Sequence, residues 1–219
     1  MRPLPEPEDI ASLLFDAGRM FARAGIESPN LEAQALMAFV LGTNRAGVFS
    51  RLKDIPDDET LDAFHEAIDR RARREPLQYI TGTQEFCSLA FSVNPDVLIP
   101  RPETELLVQE ALSFLSGKDG VTAADIGTGS GCIAVTLAYN LPGLSAVAID
   151  SSKAALDTAI ENARRHGVEG RVRSVQGDLF RGLNDQEWKH GFDLVVSNLP
   201  YVPRREILKL MPEVQYEPI

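Results

Sequence analysis

Asn198, Leu199, Pro200 and Tyr201 follow the apolar run Leu194-Val195-Val196 after one intervening residue, Ser197. A side-chain amide, a stiff turn and a ring at a strand's C-terminal end can hold a planar, amide-like or base-like group. By themselves they read equally well as a strand running into a proline turn. A second feature lies upstream, in Asp125-Ile126-Gly127-Thr128-Gly129-Ser130-Gly131, between a strand pattern and a helix pattern. Glycines there let the backbone turn and approach a ligand closely, at the sheet edge where open α/β folds bind theirs. Asp150 closes the next strand pattern and can take both hydroxyls of a ribose. Asp178 closes the third, followed by Leu179, and can meet an adenine edge. Either aspartate alone could be a helix cap; with the glycines they point to a nucleoside cofactor. A dinucleotide fingerprint needs glycine or alanine at 132, where this chain has Cys132. The closer glycine spacing, with Asp125 ahead of it, suits S-adenosylmethionine, in which a sulfonium and an amino-acid tail replace the phosphates.

The elements that must position these groups are readable from periodicity. From residue 121 strands and helices alternate, the pattern of a parallel α/β sheet. Strands are expected over 121–126, 144–150, 172–178 and 193–198, the last covered on both faces. Helices are expected from Cys132 to Tyr139 and from Ser152 to His166. Residues 8–74 read as a helical bundle. Its apolar faces are expected to include Met20 and Leu31, with Ser28-Pro29 starting one helix and Asp57-Asp58-Glu59 another. A turn is expected near Ala46-Gly47-Val48-Phe49. Glu85–Cys87 and Leu89–Val93 read as a hairpin whose Phe86 and Phe91 serve packing. Pro102 then starts a helix with Glu103 and Glu105 in its first turn and Leu106 on its apolar face. The expected organisation is a helical domain over residues 1–75, a hairpin linker over 76–101 and an α/β domain over 102–219.

Composition bounds the alternatives. The 219 residues are 44% hydrophobic and 25% charged, ordinary for a globular chain. The net charge of −10 argues against broad phosphate-driven nucleic-acid binding. Arg70-Arg71-Ala72-Arg73-Arg74 is a local exception, read as a solvated helix end. No apolar run reaches the length of a membrane span, and no signal-peptide core opens the chain, so the cytoplasm is the expected location. Cys87 and Cys132 form no metal or disulfide pattern and read as small buried residues.

The glycine loop, Asp150, Gly177-Asp178-Leu179-Phe180 and Ser197-Asn198-Leu199-Pro200-Tyr201 together resemble the class I S-adenosylmethionine-dependent methyltransferases. Pro76-Leu77-Gln78-Tyr79-Ile80-Thr81-Gly82, Ile99-Pro100-Arg101-Pro102-Glu103-Thr104-Glu105 and the tail through Tyr216-Glu217-Pro218 narrow this. They resemble the protein-(glutamine-N5) methyltransferases of class I peptide chain release factors. The resemblance implies a Rossmann-like sheet preceded by a helical domain that docks the release factor. It implies a cofactor held by Asp125, Gly127, Thr128, Gly129, Ser130, Gly131, Asp150, Asp178, Leu179 and Asn198. Asn198, Leu199, Pro200 and Tyr201 then form the catalytic turn and, with Arg101, bind the glutamine of the Gly-Gly-Gln loop. Neither a metal nor direct nucleic-acid binding is expected. The family usually has a second proline where this chain has Leu199. Asn-Leu-Pro-Tyr is also the form seen in ribosomal RNA adenine dimethyltransferases, so an N6-adenine methyltransferase of RNA or DNA is the alternative. The family's sheet has further strands beyond the four readable here. A truncated sheet with weak or no activity is therefore a further expectation.

Overall fold

The computed structural model describes residues 8–183, 191–199, 206 and 210–218. The chain divides into two compact units, Met1–Thr81 and Gly82–Ile219.

The first unit is helical: α1 (Ile10–Arg23), α2 (Pro29–Val40), α3 (Arg45–Ser50), α4 (Asp58–Ala72) and α5 (Leu77–Thr81). Its starts are set by short polar side chains. Asp9 accepts from the Ser12 amide at 2.9 Å, and Asp57 accepts from the Thr60 amide at 2.9 Å. Phe21, Leu36, Met37, Val48 and Phe64 are fully buried in its core. Three expectations need correction here. The turn near residues 46–49 is instead α3, because Asn44 caps it through the Gly47 amide. Met20 and Leu31 face outward, and the inner face of α2 is Ala33, Leu36 and Met37. The arginine run is not a solvated face: Arg71 is 4% exposed. Arg71 pairs with Glu32, Arg70 makes a two-pronged pair with Glu75, and Arg74 donates to the carbonyls of Ala24 and Gly25. Guanidinium forks satisfy carboxylates and helix-end carbonyls that a small bundle would otherwise leave bare.

The second unit opens with an antiparallel hairpin, β1 (Thr83–Phe86) and β2 (Leu89–Ser92). Cys87 and Ser88 form its turn, both with positive φ, so Cys87 is not a strand residue and is only half-buried. Phe86 and Phe91 are buried and meet edge to face with centroids 6.0 Å apart. After α6 (Pro102–Leu115) come β3 (Thr122–Ile126), α7 (Cys132–Asn140), β4 (Ser145–Asp150), α8 (Lys153–Arg165), β5 (Val172–Gln176) and β6 (Leu194–Ser197). The described strands form one parallel sheet in the order β5-β4-β3-β6. Alanines at 123, 124, 146 and 148 keep the central strands slim enough for helices to pack closely on the sheet. Helix α7 is buried nearly all round. On α6, Leu106 is 63% exposed, and Thr104, Val108, Ala111 and Leu115 form the buried face.

The order reverses at β3: β4 lies on one side of it and β6 on the other. Ile126 sits beside Ile149 and Ser197, so the carboxyl ends of the three strands lie along one edge. That reversal opens the crevice in which open α/β sheets hold ligands. The expectation that this strand is covered on both faces needs correction. Among the described residues β6 is covered on one face only: Val196 points into the core and Val195 is 47% exposed, and β6 is also an edge strand.

Candidate active site

The loop leaving β3 is held from both sides. The amides of Gly127 and Thr128 donate to the Ile149 carbonyl, and the Gly131 amide donates to the Thr128 carbonyl. Gly131 has φ +78°, and a Cβ there would stand 2.9 Å from the Cβ of Ala159 on α8. Only glycine allows that turn and that approach. Asn162, fully buried on α8, donates to the carbonyls of Ser130 and Ser92 and accepts from the Ser92 amide at 2.7 Å. One side-chain amide thereby ties the hairpin to the glycine loop.

Behind the loop lies Asp125, 2% exposed, accepting from the Thr128 hydroxyl at 2.7 Å and the Ala134 amide at 3.2 Å. Its other oxygen has no hydrogen-bond partner among the described residues. Burial raises its carboxyl to about 6, the two hydrogen bonds opposing. Asp125 braces the loop and the start of α7 and does not itself line the cleft; nor does Gly131. The same burial pushes the Cys132 thiol up to about 12, so it is an unreactive packing group.

In front of the loop is a cleft of about 280 Å³. Gly127, Thr128, Gly129, Ser130, Asp150, Asp178, Leu179, Asn198, Leu199 and Arg101 all line it. Asp150 accepts from the Gly129 amide at 3.0 Å and the Ser152 amide at 2.9 Å, one on each oxygen. Each oxygen keeps a lone pair for a hydroxyl in the cleft. Asp178 lies beyond the end of β5 and pairs with Arg181 at 3.2 Å. Leu179 takes a left-handed φ of +55°, rare for a non-glycine residue, at the cleft wall.

At the opposite end, Ser197 donates through its hydroxyl to the Ile126 carbonyl at 2.8 Å. Asn198 then enters the cleft, and its Nδ2 donates to the Thr104 hydroxyl at 2.9 Å. The side chain of Leu199 rests on Gly127, its Cδ2 2.5 Å from where a Cβ would stand. Pro200 and Tyr201 lie outside the described residues. Arg101 turns to Glu217, with Nη2 to Oε1 at 2.5 Å. Glu217 is 6% exposed, and burial raises its carboxyl, against the pull of Arg101. This pair brings the tail over the site, so that Pro218 joins the cleft lining.

Comparison with known proteins decides among the readings. Residues 12–82 match the PrmC N-terminal domain, and residues 117–215 match a methyltransferase domain. The chain is 44% identical to the release factor glutamine methyltransferase of Geobacter sulfurreducens, over 100% of this chain and 74% of that protein. It is 42% identical to that of Moorella thermoacetica, over 94% of this chain and 71% of that protein. The chain belongs to the release factor glutamine methyltransferase family. A solved methyltransferase from Thiobacillus denitrificans, in complex with S-adenosyl-L-homocysteine, overlaps 44% of this chain and 36% of its own at 27% identity. Its TM-score of 0.36 is too low to argue from.

For a member of the release factor glutamine methyltransferase family, the sequence pattern misses several groups in or around the cleft. Thr104 and Glu217 meet their partners only through the fold, and Asn162 is an ordinary polar residue in a helix pattern. Asp96, Leu98 and Pro100 reach the cleft from the loop before α6. The one signal for Thr104 and Glu217 was their place inside the two stretches that carried the resemblance. Among the described residues no cluster of His, Cys, Asp and Glu could hold a metal ion, and no helix is long and apolar enough to cross a membrane.

Proposed function

We propose that this chain transfers a methyl group from S-adenosylmethionine to the glutamine side-chain amide in the Gly-Gly-Gln loop of class I release factors, in the cytoplasm. The observation that carries the reading is that Asn198 and Leu199 share one cleft with the glycine loop, Asp150 and Asp178, in a chain of this family. The donor set suits a cationic nucleoside. Asp96, Asp150 and Asp178 line the cleft, and Arg101, the described cation in that lining, is paired with Glu217. The loop over Gly127–Gly131 would hold the cofactor, with Asp150 on its ribose and Asp178 and Leu179 beside its base. Bound there, the cofactor's sulfonium supplies a methyl group open to in-line attack.

The chain's own residues aim the acceptor. An amide nitrogen is a poor nucleophile because its lone pair is delocalised, so orientation supplies much of the rate. With Nδ2 of Asn198 on Thr104, Oδ1 is left to accept one N–H of the substrate amide. The Leu199 carbonyl accepts the other. Two acceptors turn the lone pair toward the methyl and favour the positive charge that grows on nitrogen. Once alkylated, the amide nitrogen would be acidic enough to lose its proton to water, so these residues need only orient it and supply no strong base. Pro200 and Tyr201 would stiffen the turn and pack on the amide plane. Arg101, spent on Glu217, would shape the substrate's entry more than touch the amide. Residues 1–75 would dock the release factor. The test is label transfer from methyl-labelled cofactor to a release factor, a ribosomal RNA fragment and duplex DNA, offered separately. Label is expected in the release factor only; label in either nucleic acid with none in the protein overturns the reading.

A further inference from the structure

Resting on that reading, we propose that Thr104 is a positioning residue for methyl transfer: it holds the Asn198 side chain in the pose that receives the substrate amide. Among the described residues, Asn198 stands just past the end of an edge strand, at the cleft, and nothing in that strand bonds to its side chain. Its one hydrogen bond among the described residues is from Nδ2 to the Thr104 hydroxyl, 94 positions away in sequence. Thr104 is itself anchored in the fold. It sits in the first turn of α6, its amide donates to the Arg101 carbonyl at 3.0 Å, and it is 6% exposed. Pro102 at the helix start presets that turn. The rigid side chain is therefore the threonine, and the asparagine borrows its order from it. Threonine has two favoured rotamers in a helix, and the burial of Thr104 leaves its hydroxyl little room to move between them.

The consequence is specific. Thr104 lines the same cleft, but removing its hydroxyl frees Asn198 to swing while leaving the glycine loop, Asp150 and Asp178 untouched. Misplacing an aiming group by about 1 Å costs on the order of 100-fold in rate. Thr104→Val, nearly isosteric, should lower kcat on a release factor on the order of 10- to 100-fold. Cofactor affinity and thermal midpoint should stay near wild type, and Thr104→Ser should recover most of the loss. Thr104→Val at wild-type kcat overturns the proposal, and so does a loss that Thr104→Ser fails to repair. A second readout needs no turnover. In the ¹⁵N–¹H spectrum, the Asn198 side-chain NH₂ pair, assigned by its absence in Asn198→Ala, should move in Thr104→Val and stay in Thr104→Ser. A pair unmoved in Thr104→Val overturns the hydrogen bond itself, whether or not the chain methylates anything. A wild-type chain that fails on every release factor while this pair moves as expected counts against the functional reading alone.

Discussion

At one end of the cleft Thr128 and Ser130 are 5% and 2% exposed, and the loop around them is fastened by Ile149, Asp150 and Asn162. At the other end Asn198 is half-buried, Leu199 is 42% exposed, and the turn hangs on Thr104 and on the contact with Gly127. The cofactor end is finished before anything binds, because a loop in the middle of a sheet can be braced from both neighbouring strands and from a helix behind. The substrate end grows from β6, which among the described residues has a strand neighbour on one side only. Preorganisation at the first end serves binding. At the second end, the contacts that the described residues make set the aim, so each has a large effect on rate and a small one on stability.

This difference can be broken at either end. The largest expected effect is that of Asn198→Ala. Loss of one aiming acceptor should lower turnover about 100- to 1,000-fold, with cofactor affinity, read by titration calorimetry, within a few-fold of wild type. A parallel loss of cofactor binding would mean that the two ends are not separable. Gly131→Ala should do the reverse. The left-handed φ and the crowding against Ala159 should destabilise the chain by roughly 2–4 kcal/mol in urea unfolding, and weaken cofactor binding with it. A variant as stable as wild type would show that the loop has slack.

The smallest expected effect concerns Asp125. Its carboxyl is raised from 3.8 to about 6 in the folded chain, chiefly by burial. The folded state therefore holds the proton more tightly than the unfolded state does. The stability this contributes is fully present below about pH 4 and is lost as pH rises through about 6. Asp125→Asn removes that titration. The difference in thermal midpoint between wild type and variant should change across pH 4 to 6 and be flat above. A difference that is the same at every pH would mean that burial leaves the Asp125 carboxyl at its ordinary pKa.

How far these two ends were legible in sequence follows the same divide. The glycine loop, Asp150 and Asp178 sit at strand ends and helix starts of a repeating pattern. Residue type and spacing are enough to place them there, even though Gly129 meets Asp150 and Ser130 meets Asn162 only through the fold. The strands and most helices were legible for the same reason, since their periods are local. What residue type and spacing leave out depends on distant pairs. Thr104 meets Asn198 and Arg101 meets Glu217 only because α6 and the tail converge on one strand end. Nothing in the spacing of either stretch fixes that convergence. The arginine run misled for a related reason, since a charge cluster looks the same in sequence whether it faces water or Glu32 and Glu75. Leu199 in place of the family's usual proline suggested a looser turn. The fold offsets part of that by laying the leucine side chain on Gly127.

The most direct measurement is fragmentation mass spectrometry of a class I release factor after incubation with this chain and S-adenosylmethionine. The account predicts a gain of one methyl, carried on the side-chain nitrogen of the Gly-Gly-Gln glutamine and missing when Asn198→Ala replaces the wild-type chain. A methyl found on any other residue, or an equal gain with Asn198→Ala, would contradict it.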